Sequence, residues 1–138
     1  MSANDTQNGY AIVLASSELA RVQAVSIIGS IAAMSEIPVD VFVTMDGLLP
    51  FEKETVENGD FDVGPVGARM LEAEDMDVPL FTEQMENAKE IGPMRIYACT
   101  MAMDLMGNTL DDYVDLFDEE LGVSGFLQKA ADKQIVFV

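Results

Sequence analysis

A single thiol is the residue in this chain with the clearest potential for covalent chemistry. Cys99 is the only cysteine among 138 residues, and histidine is absent. Without histidine the chain cannot form a Ser-His-Asp or Cys-His catalytic pair, or a histidine-based zinc or iron site. With one cysteine it can form no intrachain disulfide, C-x-x-C motif or four-cysteine metal site. Cys99 must therefore react with a group that another molecule supplies.

Small polar residues stand near the ends of three apolar segments that should form buried parallel strands. The segments cover residues 10–15, 39–45 and 94–98, and the residues near their ends are Ser16 and Ser17, Thr44, and Cys99 with Thr100. In open parallel sheets, ligands bind beyond the carboxyl ends of the strands. We therefore expect one site at this edge, with Cys99 exposed as its only nucleophile. Gly47 and Met101 complete the predicted rim of the site.

The electrostatic environment of Cys99 is expected to be balanced. The residue precedes a predicted short helix, whose first N–H groups stabilise a thiolate by about 0.3–1 kcal/mol. Asp104 and the acidic surface act in the opposite direction. We therefore expect no strongly activated thiolate. A lone cysteine near a strand also fits an inert, buried apolar residue, and the pattern alone leaves both interpretations open.

The elements around this edge alternate between strands and helices. Helices are predicted at 18–34, 82–91, 100–106, 110–117 and 124–133, and a final, edge strand at 134–138. In the first helix, Leu19, Val22, Val25, Ile28 and Ile31 should form a buried stripe. Residues 56–78 are irregular, apart from a possible short helix at 66–73. The pattern predicts an α/β fold with three layers, in which a mostly parallel sheet of about five strands carries helices on both faces. We expect one domain over residues 1–138, with 1–8 flexible.

The charge of the chain limits its partners. Asp and Glu number 25 against 7 Lys and Arg, for a formal net charge of −18. Such a surface repels nucleic acid and anionic membranes. The chain has neither a basic secretory leader nor an apolar run of about 18 residues, so we expect a cytoplasmic protein with no integral membrane segment. The acids are spread along the chain, which favours adaptation to a salt-rich cell over a dedicated basic partner.

Several segments resemble the DsrE/DsrF-like family of small sulfur-carrier proteins. The motif around the cysteine, YACTMAMDLMG at residues 97–107, carries most of the resemblance. IVLASSELARVQAVSIIGSIAAM at 12–34, VDVFVTMDGL at 39–48 and GVSGFLQKA at 122–130 also resemble the family. The resemblance implies a homo-oligomeric α/β protein that exchanges sulfur with donor and acceptor proteins. The cysteine carries this sulfur as a persulfide or thiosulfonate, a role that falls on Cys99. Related sequences are often labelled peroxiredoxin-like, but this chain has no resolving cysteine.

Two other functions remain open at this stage. The chain could be a non-catalytic oligomeric interaction module in which Cys99 is incidental. It could also bind a soft metal such as Cu(I), because thiolate and thioether sulfurs are suitable ligands. The methionines near Cys99 are Met94, Met101, Met103 and Met106. The sulfur-carrier interpretation requires no metal and no organic cofactor.

Overall fold

Five parallel strands form the sheet of this α/β protein, in a computed structural model that describes residues 8–72 and 79–138. The strands are β1 (Tyr10–Leu14), β2 (Val39–Val43), β3 (Met94–Cys99), β4 (Glu119–Leu121) and β5 (Gln134–Phe137). Their order across the sheet is β4-β3-β2-β1-β5. The predicted fold class is confirmed, as is the edge position of the last strand. β4 was absent from the sequence prediction.

Helices connect these strands. They are α1 (Leu19–Met34), α2 (Lys53–Asn58), α3 (Pro65–Glu72), α4 (Phe81–Ile91), α5 (Thr100–Met106) and α6 (Val123–Lys129), with 3₁₀ turns at Met45–Phe51 and Leu110–Asp112. The helix predicted at 110–117 is wrong beyond Asp112. There the backbone becomes extended, because Tyr113 pairs with Glu52 and the Val114 N–H donates to the Phe51 carbonyl oxygen at 2.8 Å. The last helix is also shorter than predicted.

Helices cover both faces of the sheet. On one face, Gly29 of α1 lies against Met94, and the core beneath α1 and α4 includes Ile12 and Ile96. On the other face, Phe126 of α6 stacks on Phe42 of β2 with ring centroids 4.5 Å apart. The protein therefore has the three layers that the sequence predicted. Within the described residues, every helix is too short or too polar to cross a bilayer.

The buried stripe predicted for α1 is wrong at its C-terminal half. Leu19, Val22 and Val25 are buried, but Ile28 and Ile31 are 52% and 59% exposed. Small and polar residues take the inward positions instead, and a hydrogen-bond network holds α1 against α4. The Ser26 hydroxyl donates to Gln84 Oε1 at 2.7 Å, and the Gln23 amide donates to the same oxygen at 3.1 Å. Apolar burial thus orients the first half of this helix, and hydrogen bonding to α4 orients the second half.

Two sequence expectations concern segments that are only partly described. The flexible terminus predicted at 1–8 lies outside the described residues except for Asn8. The stretch predicted as irregular covers residues 56–78, of which 73–78 lie outside the described residues. The described part of this stretch contains the end of α2 and the whole of α3. The short helix predicted at 66–73 corresponds to α3.

Candidate functional site

The carboxyl ends of β1, β2 and β3 lie side by side at one edge of the sheet. β2 pairs with both neighbours in parallel register, so Leu14, Val43 and Ala98 form a row across the three strands. The residues that follow this row include the predicted site residues. Adjacent strands are separated by about 4.8 Å, so the ends of β1 and β3 are about 10 Å apart.

Cys99 ends β3 and is the N-cap residue of α5, with φ −68° and ψ 118°. The predicted exposure of its thiol is wrong, because the residue is 0% exposed. Cys99 pairs with Leu121 of β4, the strand that the sequence prediction lacked. The alternation of side chains along β3 places Cys99 on the same face as Tyr97, which is the face that α6 covers. The thiol is therefore buried on the α6 face, beside an edge strand that the sequence prediction lacked.

The strand that pairs with Cys99 and the helix that follows this strand are both short. β4 has three residues. Its Leu121 side chain packs against Gly125, where an added Cβ would lie 2.8 Å from the leucine side chain. Asp118 anchors the start of β4, because its carboxylate accepts the Ile96 N–H at 2.7 Å and lies 3.2 Å from Lys89 Nζ. Sequence reasoning missed Asp118 and Lys89, since an acid–base pair 29 positions apart leaves no local pattern.

Thr44 and Gly47 shape the middle of the edge through their backbones. The Thr44 N–H donates to the Leu14 carbonyl oxygen at 3.0 Å, which carries the hydrogen bonding of β1 and β2 one residue further. Gly47 lies directly on that carbonyl group, where a Cβ would collide with the backbone of β1. Between them, Met45 has a positive φ of 49° and is 48% exposed. The structure thus gives Gly47 a packing role that its sequence position did not reveal.

Ser16 and Ser17 lie at the β1 end of the edge and make local contacts. The N-cap residue of α1 is Glu18, and its N–H donates to Ser16 Oγ at 3.2 Å. The Ser17 hydroxyl donates to Asp62 Oδ2 at 3.0 Å. Ser17 and Asp62 also line a cavity of about 210 Å³, together with Phe61. Cys99 is not among the residues that line this cavity.

The methionines that could join Cys99 in a soft-metal site do not surround it evenly. Met94 begins β3, five residues from Cys99, which corresponds to about 16 Å along a strand. Met103 is buried, whereas Met101 and Met106 are each 51% exposed. Thr100, the first residue of α5, is half-buried. Met101 and Thr100 therefore border Cys99, while Met94 belongs to the core at the opposite end of the strand.

A charged cluster lies on the α6 face of the sheet. Lys133 Nζ is 3.7 Å from Asp40 Oδ2, and Lys129 Nζ is 5.3 Å from the centre of the Tyr97 ring. Burial raises the pKa of Asp40, although the neighbouring Lys133 ammonium opposes the change. Burial, followed by the nearby Asp40 carboxylate, raises the pKa of Tyr97 to about 12. These groups join α6 and the turn that follows it to the sheet.

Comparisons with known proteins agree with this architecture. The profile of the DsrE/DsrF/DrsH-like family matches residues 61–138, more than half of the chain and a span that includes Cys99. The chain therefore belongs to the DsrE/DsrF/DrsH-like family.

Among solved structures, the chain is similar to MTH1491, a protein of unknown function from Methanobacterium thermoautotrophicum. The TM-score is 0.62 at 11% sequence identity, and the match covers 94% of this chain and 97% of that one. At this identity the likeness concerns the fold alone. Comparison with curated proteins gave no match.

Proposed function

We propose that this protein is a sulfur carrier in which Cys99 holds sulfur as a persulfide or thiosulfonate and passes it to a partner protein. The observation that carries the proposal is the position of Cys99. It is the sole thiol of the chain, it lies in the part that matches a DsrE/DsrF/DrsH-like family profile, and it stands where β3 meets α5. Thr100 and Met101 border it in this proposal. Thr44, Gly47, Ser16 and Ser17 extend the rim along the edge.

The proposed chemistry is an exchange at sulfur that requires no base or redox cofactor from this chain. In loading, the Cys99 thiolate attacks the outer sulfur of a donor persulfide, and the donor leaves as a thiolate. In transfer, an acceptor thiolate attacks the outer sulfur on Cys99. The bond between the two sulfurs breaks, Cys99 leaves as a thiolate, and the acceptor becomes the persulfide. Each step breaks one S–S bond and forms another, so there is no net oxidation.

Burial of the thiol adds a conformational step to this proposal. Neither a donor nor an acceptor can reach a sulfur that is 0% exposed. Short elements with few buried contacts open at a lower free energy than the core. We propose that β4 and the first turn of α6 move away from Cys99 during transfer. The three-residue length of β4 and its place at the sheet edge support this route.

Intact mass spectrometry tests the proposal directly. The native protein is incubated with a persulfide donor or with tetrathionate, and Cys99→Ala is treated in parallel. We expect one added sulfur atom from the first reagent and one thiosulfonate group from the second, with neither adduct on Cys99→Ala. If the native protein stays unmodified while the urea-unfolded chain reacts, Cys99 is not a carrier.

Full burial of Cys99 supports a second candidate function. A small buried thiol packs as an ordinary apolar side chain, so the protein could be an interaction module with an incidental cysteine. Cys99→Ala would then leave its binding to partner proteins unchanged. Under the carrier proposal, the same substitution abolishes the covalent adduct and sulfur delivery to an acceptor.

The charge of the chain supports a proposal about the cellular setting of the carrier. We propose a single-domain cytoplasmic protein of a salt-adapted cell, in which sulfur donors and acceptors are the principal partners. The excess of 18 negative charges is consistent with a surface that remains hydrated in concentrated salt. Because the family resemblance implies a homo-oligomer, we also propose that the carrier assembles from several copies of this chain.

A further inference from the structure

The outer face of α1 is apolar on a chain that is otherwise strongly acidic. We name as the α1 face the exposed side chains of Ile27, Ile28, Ile31 and Met34, together with Ile91 at the end of α4. They are 38%, 52%, 59%, 65% and 66% exposed, respectively. Ile91 belongs to this surface because the next residue, Gly92, packs directly on the Ala33 backbone of α1. Contiguous apolar surface of this kind marks interaction sites.

The sequence of α1 strengthens this observation. Residues 19–35 contain no Asp or Glu, although the chain has 25 of them. The inner side of α1 also contacts an apolar core through Leu19, Val22 and Val25. Apolar residues thus occupy both sides of the helix. Apolar residues on opposite sides of a helix are typical of one that is covered on both sides, whereas the outer side of this helix is exposed in the monomer.

We propose that the α1 face is a self-association surface on which two copies of this chain pack their α1 helices antiparallel about a two-fold axis. Two copies carry 18 excess negative charges each and repel one another over most of their surface. A face without carboxylates is where this repulsion is weakest. An isologous contact also places the same patch on both sides, so apolar surface meets apolar surface.

The charges at the two ends of α1 favour the antiparallel arrangement. Arg21 lies in the first turn, and Glu36 stands just beyond the last turn with an exposed side chain. In an antiparallel pair, Arg21 of one copy approaches Glu36 of the other, and the contact occurs twice. In the monomer Arg21 lies 3.6 Å from Glu18, also in an exposed pair. A parallel pair would place like charges together at each end.

Other occupants fit this face less well. A basic partner would be attracted to the acidic surfaces elsewhere and would gain no ion pairs here. Anionic lipid would be repelled by the net charge of −18. The α1 face lies on the opposite side of the sheet from Cys99, so self-association leaves the thiol and its cover open to partner proteins. Self-association through the α1 face therefore does not depend on the proposed sulfur chemistry.

Sedimentation velocity in 0.2 M and 2 M KCl tests the proposal. We expect the wild-type protein to form a dimer of twice the 15.0 kDa chain mass, or a larger assembly with an even number of copies, tightened by the higher salt. Ile31→Glu should weaken the two-fold contact at least about 100-fold and halve the mass, because it buries two like charges against each other. Phe137→Glu is the matched control, since Phe137 is 74% exposed on β5 and lies outside the α1 face.

Disulfide trapping locates the axis. In the Cys99→Ala background, Ile28→Cys should form covalent dimers under mild oxidation, because a disulfide needs Cα atoms within about 7 Å. Leu127→Cys, 53% exposed on α6, should remain monomeric under the same conditions. A wild-type monomer in both salts would overturn the proposal, as would an assembly that survives Ile31→Glu or cross-linking at Leu127 and not at Ile28. Sulfur loading of Cys99 in Ile31→Glu shows separately whether the carrier function persists.

Discussion

At the scale of single residues, tertiary packing changes the properties of groups that look ordinary in the sequence. Cys99 is the clearest case, since its identity and position were evident but its burial was not. Tyr97 is another, because the phenol lies on the α6 face beneath Lys129 and close to Asp40. Both residues lie on β3, and both are enclosed by elements that follow much later in the chain.

Tyr97 should make the stability of the fold sensitive to alkaline pH. Its pKa is raised from 10.0 to about 12 in the folded state, so the folded protein favours the neutral phenol. This stabilising contribution is complete below pH 10 and is lost as the pH rises from 10 toward about 12, because only the unfolded state has released the proton. The loss reaches about 2–3 kcal/mol at most.

Urea denaturation at pH 9 and pH 11 measures this effect. We expect the wild-type protein to lose more unfolding free energy between the two pH values than Tyr97→Phe, which keeps the ring and lacks the phenol. Equal losses in the two proteins would show that Tyr97 ionises normally in the fold.

At the scale of elements, hydrogen bonds and short strands decide what the helices cover. The amide of Gln84 accepts from Gln23 and Ser26, and its backbone carbonyl accepts from Ser30 at 3.5 Å. This network turns the Ile28 side of α1 outward. On the other face, the three-residue strand β4 pairs with the end of β3 at Cys99.

Gln84→Ala should destabilise the contact between α1 and α4. The substitution removes the acceptor that the Ser26 hydroxyl and the Gln23 amide share, although the Gln23 amide keeps its hydrogen bond to the Pro79 carbonyl oxygen. A buried donor left unpaired costs about 1–3 kcal/mol. Thermal or urea denaturation measures the change. Gln128→Ala, the same substitution at an exposed position of α6, is the matched control and should change stability by less than about 0.5 kcal/mol. Similar effects of the two substitutions would mean that the network contributes little.

Leu121→Ala should speed the modification of Cys99 in the native protein. Leu121 pairs with Cys99 and packs on Gly125, so shortening it loosens the cover over the thiol. We expect at least a tenfold faster reaction with a small thiol reagent, since about 1.4 kcal/mol of weakened packing corresponds to a factor of ten.

Met85→Ala separates local opening from general instability. Met85 is 0% exposed in the core of the opposite face, and its truncation should cost about 2–5 kcal/mol of global stability. If the thiol reacts through local opening, Met85→Ala leaves the labelling rate nearly unchanged. If both variants accelerate labelling in proportion to their loss of stability, Cys99 is reached only by global unfolding.

At the scale of the whole molecule, the net charge of −18 opposes the compact state. Only four ion pairs occur within the described residues, and two of them share Lys133. Most carboxylates therefore have no cationic neighbour in the described part of the chain, and their mutual repulsion depends on ionic strength.

The melting temperature should rise with salt concentration. The Debye length falls from about 30 Å at 0.01 M to about 3 Å at 1 M salt, so repulsion between surface carboxylates is largely screened in molar KCl. Differential scanning calorimetry in dilute buffer and in 1 M KCl measures the change. A variant with exposed acids neutralised, Asp111→Asn with Glu120→Gln, should show a smaller increase. An equal melting temperature at both salt concentrations would contradict salt adaptation.

The sequence by itself determined the parallel α/β class, four of the five strands and the convergence of three strand ends. These features follow from local periodicity, because a strand that is buried on both faces appears in the sequence as a short apolar run. The candidate thiol also followed from the sequence, since Cys99 is the only cysteine and stands at the end of such a run.

Only the tertiary structure decided which surfaces are covered. β4 consists of two glutamates and a leucine, so its local pattern predicts no strand, and it forms because β3 offers a free edge. Cys99 pairs with this strand and is buried, while the contacts of Gln84 turn the apolar side of α1 to the exterior. Both outcomes depend on residues distant in sequence, and a local pattern carries no information about such partners.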